Sequence, residues 1–325
     1  MFGKILLVII LLLLISISFI NFYKKFRLML ALKNVFSNKI FCRKNRDKCR
    51  KNNKLLKNFN HNLVPPTTIK KKYDPILSKF CINLLGNFNF CYYKDKKPKL
   101  FQNAKKLDTI YYNNKILGYL LTNGEESDGV YENCWLVFRG TDNKHIDELL
   151  SDIYLKQAGF ADNSIKWANK NLNKVDIPNV RCHQGFLDIY NAIKTQLVNI
   201  IAKRKFKNLI VTGYSLGAAI SSLVSVDFAL SDFKIYTYVY ASPRVGNENF
   251  ANLVEYLVQN SYIECFYRIS NTFDFFTNWP AQIVPNISEV TKPYYYVHCG
   301  EERNFSDNRY SIRFNHDMNT YKDNI

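Results

Sequence analysis

Leu209-Ile210-Val211-Thr212-Gly213-Tyr214-Ser215-Leu216-Gly217-Ala218-Ala219-Ile220 is the stretch from which the rest of the chain is read. An apolar run of strand length meets a Gly-x-Ser-x-Gly pentapeptide, and helical spacing then continues through Ser221, Leu223, Val224, Val226 and Phe228. The order is strand, sharp turn, helix. A serine hydroxyl is a weak nucleophile, and such a turn exposes its Oγ to a base and a substrate together. Gly213 and Gly217 let strand and helix approach closely, and the Leu216 amide, at a helix start, can face a developing oxyanion. The pentapeptide alone is common; the strand before it and the helix after it make it a nucleophile elbow.

Outward from the elbow, strands and helices alternate. Residues 134–138 form a buried-strand run ending in Arg139-Gly140-Thr141-Asp142, and residues 111–121, around Gly118, read as an earlier strand or strand pair. Ile146, Leu149, Leu150, Ile153 and Tyr154 recur at i, i+3, i+4, i+7 and i+8, the spacing of an amphipathic helix. Another helix follows His183-Gln184-Gly185-Phe186. Residues 235–240 and 264–269 are further strands, the last running into Ser270-Asn271-Thr272-Phe273-Asp274. This alternation predicts an α/β fold with a mostly parallel sheet covered on both faces.

A hydrophobic fraction of 47% with 15% aromatics describes a folded chain, and 325 residues are ample for a core. The net charge of +18 points first to nucleic acid. Residues 23–72, however, hold sixteen Lys and Arg against one Asp, so most of the charge lies in one segment. That segment carries no recognisable binding module, so no nucleic-acid partner is expected. The eight cysteines form no C-x-x-C pair and no zinc-ligand spacing, so neither a metal nor another cofactor is expected.

Residues 5–22 are an almost uninterrupted apolar run of about 18 residues, just enough to span a bilayer. No Ala-x-Ala-like cleavage site follows, which favours an uncleaved signal-anchor (residues 1–22) over a cleaved signal peptide and a secreted product. Lys24, Lys25 and Arg27 after the span would keep the C-terminal side cytoplasmic. The cysteines and the acceptors Asn286-Ile287-Ser288 and Asn304-Phe305-Ser306 point instead to a lumenal or extracellular domain. Residues 23–72 read as a basic linker or pro-region, either lying on an anionic membrane surface, with on the order of 1 kcal/mol per cation, or a solvated tether. The folded domain is expected over residues 73–325.

Several segments together resemble the class 3 lipase family, the fungal-type triacylglycerol lipases with an α/β-hydrolase fold. Val137-Phe138-Arg139-Gly140-Thr141 is similar to the family's oxyanion strand end, and Cys182-His183-Gln184-Gly185-Phe186 to its His-x-Gly-Phe segment. Ser242-Pro243-Arg244-Val245-Gly246-Asn247 resembles its Pro-Arg-Val-Gly-Asn stretch, and Tyr296-Val297-His298-Cys299-Gly300 its Tyr-x-His-x-Gly element. The motifs occur in family order over residues 111–321. Tyr214 stands where the family usually has His, Ala218 where it often has a second Gly, and Ala241 where a Gly normally precedes the Pro-Arg segment.

The resemblance implies a serine hydrolase of lipid esters, triacylglycerol lipase or phospholipase in type. Its nucleophile is Ser215. In this fold the acid and then the base follow the serine in the chain. Asp274, just upstream of Phe275-Phe276-Thr277-Asn278-Trp279-Pro280, resembles the family's acid, and Asp232 and Asp317 are poorer candidates. His316, with Tyr321 a few residues on, resembles its base. His298, in the Tyr-x-His-x-Gly element, is the alternative. Thr141 and Leu216 are the expected oxyanion donors. The helix at residues 144–154 sits where the family carries its lid, although a fixed surface helix fits the same pattern. No role is assigned to His61, His145 or His183. The competing function is a catalytically silent fold that binds lipid or a protein partner.

Overall fold

The structure, a computed structural model, describes residues 63–93, 100–124, 129–141, 155–160, 177–229, 231–286, 289 and 292–325. The signal-anchor expected at residues 1–22, nearly all of the basic segment and the helix at residues 144–154 lie outside these. Among the described residues, no helix is long and apolar enough to cross a membrane.

The strands are β1 (Lys105–Tyr112), β2 (Lys115–Thr122), β3 (Val130–Phe138), β4 (Gln157–Gly159), β5 (Arg181–His183), β6 (Lys205–Tyr214), β7 (Lys234–Tyr240), β8 (Cys265–Asn271), β9 (Ile283–Val284), β10 (Tyr294–Tyr295) and β11 (Glu301–Phe305). The helices are α1 (Pro75–Tyr93), α2 (Gln184–Ala202), α3 (Leu216–Asp227), α4 (Glu248–Gln259), α5 (Ile312–Asn315) and α6 (Met318–Asp323). One sheet of order β1-β2-β3-β6-β7-β8-β11 organises the domain. From β3 to β11 every neighbour is parallel, whereas β1, β2 and β3 form an antiparallel meander. Parallel strands need long crossovers, and α2, α3 and α4 supply three of the four; the β8–β11 connection carries no α-helix among the described residues.

Strand alternation divides the core into two layers. Leu136 and Phe138 of β3, Leu209 and Val211 of β6 and Ile235 and Val239 of β7 face one apolar cluster, which also holds residues of α2, α3 and α4. Trp135, Val137, Ile210, Tyr214, Tyr236, Tyr238 and Tyr240 face the other, which holds residues of α1 together with Tyr321 of α6. The sheet is thus covered on both faces, as the alternation of elements predicted. Among the described residues, Leu63 and Ile69 also pack against this second layer.

Helix α3 is buried on every side. Its small residues permit this, and two of its hydroxyls bond back into the helix: Ser222 donates to Ala218 O (2.9 Å) and Ser225 to Ser221 O (2.8 Å). At its far end Asp227 meets Lys194 (2.8 Å) and the Tyr190 hydroxyl, both from α2. The strand registers pair Phe138 with Gly213, Gly213 with Val239, and Tyr240 with Ile269. The carboxyl ends of β3, β6, β7 and β8 therefore lie side by side, the edge at which ligands bind in open α/β sheets.

Candidate active site

Ser215 sits between β6 and α3 at φ 54°, ψ −118°, a left-handed conformation that costs a non-glycine residue of order 1–3 kcal/mol. Packing on both sides maintains it. The Ser215 amide donates to Tyr240 O (3.0 Å), and its carbonyl accepts from Ala218 N (2.9 Å), the start of the helical ladder. A Cβ on Gly217 would lie 2.5 Å from Arg139 O, so glycine is needed where the elbow passes the end of β3. Ser215 occupies the helix N-cap without making a side-chain cap bond, which leaves Oγ for another partner.

That partner is His316, whose Nε2 lies 2.9 Å from Ser215 Oγ. On the other side of the ring, Nδ1 lies 2.7 Å from Asp274 Oδ2. An ionised carboxylate only accepts, so neutral His316 carries its proton on Nδ1 and turns the Nε2 lone pair toward the serine hydroxyl. Asp274 and His316 are both buried, and Ser215 nearly so.

Asp274 is fixed through both of its carboxylate oxygens. Oδ1 accepts Phe276 N (2.9 Å), capping the short 3₁₀ turn Phe275–Asn278, and Oδ2 accepts the Tyr321 hydroxyl (2.7 Å) besides His316. Asn271 and Asn315 join the acid and base loops: Asn271 Nδ2 donates to Asn315 O (3.2 Å), and Asn315 Nδ2 to Phe273 O (3.0 Å). Arg244 donates to Pro280 O (2.7 Å) and to Asn278 O, holding the chain after the acid. That accounts for an arginine in the Pro-Arg-Val-Gly-Asn segment.

Thr141 follows β3 on the same edge. Its Oγ1 is buried and has no hydrogen-bond partner among the described residues. A Cβ on the preceding Gly140 would come within 3.6 Å of Ser215 Cβ, so this loop end borders Ser215. Leu216 is the first residue of α3, and a first-turn N–H has no acceptor within its own helix.

The alternative base takes another position. His298 bonds the main chain of Thr277, while its Nδ1 is buried without a partner among the described residues. Burial, then Arg268 and Arg244, lowers its pKa to about 3. His183 is also buried with both ring nitrogens unpartnered among the described residues, packed among Phe186, Trp279 and Tyr296. Burial lowers its pKa to about 3, so it stays neutral. The structure thus brings Ser215, Asp274 and His316 together and leaves His298 out. Sequence reasoning missed Asn271 and Asn315, which carry no signal beyond adjacency to the acid and the base.

A parallel sheet with a strained serine elbow after a central strand, and an aspartate and a histidine meeting it from later loops, defines an α/β-hydrolase fold. Residues 135–284 match the lipase (class 3) family. Over that stretch, a little under half of its length, the chain is similar to this family. It is 34% identical over 76 residues to the secreted mono- and diacylglycerol lipase 1 of Fusarium solani, covering 22% of this chain and 23% of that protein. With the lipase of Rhizomucor miehei it shares 30% identity over 142 residues, 41% of this chain and 35% of that one. The matches therefore span only about a quarter to a third of these relatives' length. Among solved structures, the Lip2 lipase of Yarrowia lipolytica aligns over 70% of this chain and 76% of its own at 20% identity, with a TM-score of 0.49.

Proposed function

We propose that the chain is a serine hydrolase that cleaves carboxylic esters of lipids through an acyl-enzyme. The relay from Ser215 Oγ to His316 Nε2 (2.9 Å) and from His316 Nδ1 to Asp274 Oδ2 (2.7 Å) is the observation that supports it most directly. His316 takes the Ser215 proton as Oγ attacks the ester carbonyl carbon, and Asp274 stabilises the imidazolium that results. The carbonyl oxygen becomes an oxyanion held by the amides of Leu216 and Thr141 and by the unpartnered Thr141 hydroxyl. His316 then protonates the leaving alcohol. Water, deprotonated by the same imidazole, releases the fatty acid and restores Ser215.

Relatives named as mono- and diacylglycerol lipases favour acylglycerols over phospholipids as substrates. Their names also include the word secreted, which favours the secreted form of this chain over an anchored one. Recovery of the expressed chain in carbonate-stripped membranes would reverse the latter choice.

The test is incubation of the full chain with a fluorophosphonate and, separately, with acylglycerols, phospholipid and p-nitrophenyl esters. The expected result is ester turnover and a phosphonyl group mapped by mass spectrometry to Ser215. A folded chain that hydrolyses no ester and takes up no probe is a lipid- or protein-binding module instead. Thr141→Val removes the hydroxyl at nearly constant volume. It is expected to lower kcat about 100-fold with little change in melting temperature; an unchanged kcat removes the hydroxyl from the oxyanion site.

A further inference from the structure

Tyr214 replaces the histidine that the family usually carries before the nucleophile. It ends β6, and its side chain enters the layer beneath the sheet, where its ring lies 5.3 Å from that of His316 and 5.6 Å, edge on, from that of Tyr321. Its hydroxyl bonds the main-chain carbonyl of His316. A carbonyl only accepts, so the phenol is the donor. Burial, then the charges of Asp274 and Asp317, push the Tyr214 pKa well above that of an ordinary tyrosine, and the donating proton is retained.

We infer that Tyr214 is a positioning residue: its hydroxyl fixes the main chain of the base relative to the nucleophile one peptide bond away. The inference rests on reading Ser215 and His316 as nucleophile and base. Covalent bonds and two hydrogen bonds close a ring from Ser215 through Tyr214 Oη to His316 O, through the imidazole, and back from Nε2 to Oγ. His316 needs such support because it lies just past α5, a helix of only four residues. The Asn271 and Asn315 bonds tie that region to β8 and the acid loop. The Tyr214 bond ties it to the strand that carries the nucleophile, and so sets the distance across which the proton moves.

Tyr214→Phe in the full chain deletes the hydroxyl and keeps the ring. A base displaced by a fraction of an ångström to 1 Å should lower kcat, and the rate of fluorophosphonate inactivation, by about 10-fold to 100-fold. KM should stay within about twofold, since Tyr214 lies beneath the sheet, away from substrate. The low-field Nδ1 proton of His316 should broaden or shift in the NMR spectrum, a change that a purely structural loss would not produce in a folded variant. A folded Tyr214→Phe with kcat and inactivation rate within about twofold of wild type overturns the inference, as does a loss confined to KM. If the phenylalanine variant does not fold, fluorotyrosines of graded acidity placed at position 214 test the same bond. A kcat that follows phenol acidity supports the inference, and one independent of it overturns it. An inert wild type, without turnover or labelling, removes the underlying reading; an active wild type with an indifferent Tyr214→Phe removes only the role of Tyr214.

Discussion

Asp274→Asn is expected to lower kcat for ester hydrolysis by about 10⁴-fold while KM and the melting temperature change little. The reason lies in the hydrogen bonds around the carboxylate. Oδ1 accepts the Phe276 amide at 2.9 Å, and Oδ2 accepts both His316 Nδ1 and the Tyr321 hydroxyl at 2.7 Å. Asparagine keeps one oxygen and gains an NH₂, and only one orientation avoids a clash of donors. With its oxygen toward His316, the NH₂ would face the Phe276 N–H in a buried site, costing about 1–3 kcal/mol. The amide therefore keeps its oxygen on Phe276 and points its NH₂ at the imidazole. Nδ1 must then accept, the ring proton moves to Nε2, and Nε2 no longer has a lone pair for Ser215. The Tyr321 hydroxyl can rotate to donate elsewhere, so the fold survives. The wrong tautomer and the lost negative charge both act on the transition state and neither touches substrate. Steady-state kinetics and thermal melts of the purified variant check this; a loss of less than about tenfold would mean that Asp274 does not orient the base.

How much of this site could be read from the chain depends on the range of the interactions. Strands β3, β6 and β7 carry short apolar runs buried on both faces, and such runs announce themselves. The first helix, Pro75–Tyr93, carries a signal of its own, with buried Leu77, Phe80, Cys81, Leu84, Leu85 and Phe88 at i, i+3, i+4, i+7, i+8 and i+11, yet sequence reasoning left it unassigned. Strand β11 has the charged sequence Glu301-Glu302-Arg303-Asn304-Phe305 with nearly every residue exposed, so only pairing with β8 makes it a strand. The three side chains proposed to react could be picked out because chemistry restricts their type and chain order. Their supports were not: Tyr214 acts on a carbonyl 102 residues away, and Asn271 on one 44 residues away. A main-chain acceptor leaves no trace in the sequence, since every residue has one.

Gly213→Ala is expected to remove the folded domain, through the geometry that exposes Ser215. Gly213 pairs with Phe138 on one side and Val239 on the other, in the middle of the sheet, so neither neighbour can yield without breaking a ladder. A Cβ at 213 would fall far inside contact distance of the Gly217 carbonyl and 2.5 Å from Ser221 Oγ. Serine can rotate away, but the Gly217 carbonyl belongs to the first turn of α3, a helix buried on every side. Nor can α3 retreat, because a Gly217 Cβ would already lie 2.5 Å from Arg139 O, and the helix is packed against α2 at its far end. A methyl group driven into immobile backbone exceeds the 1–3 kcal/mol of ordinary overpacking and belongs with rare losses of more than about 4–5 kcal/mol, comparable to the whole stability of a domain. The variant should therefore be recovered aggregated or without a cooperative melt, and should not react with fluorophosphonate. A Gly213→Ala protein that melts within a few degrees of wild type and labels normally would show that strand and helix can separate, and that the elbow is held by something other than their close approach.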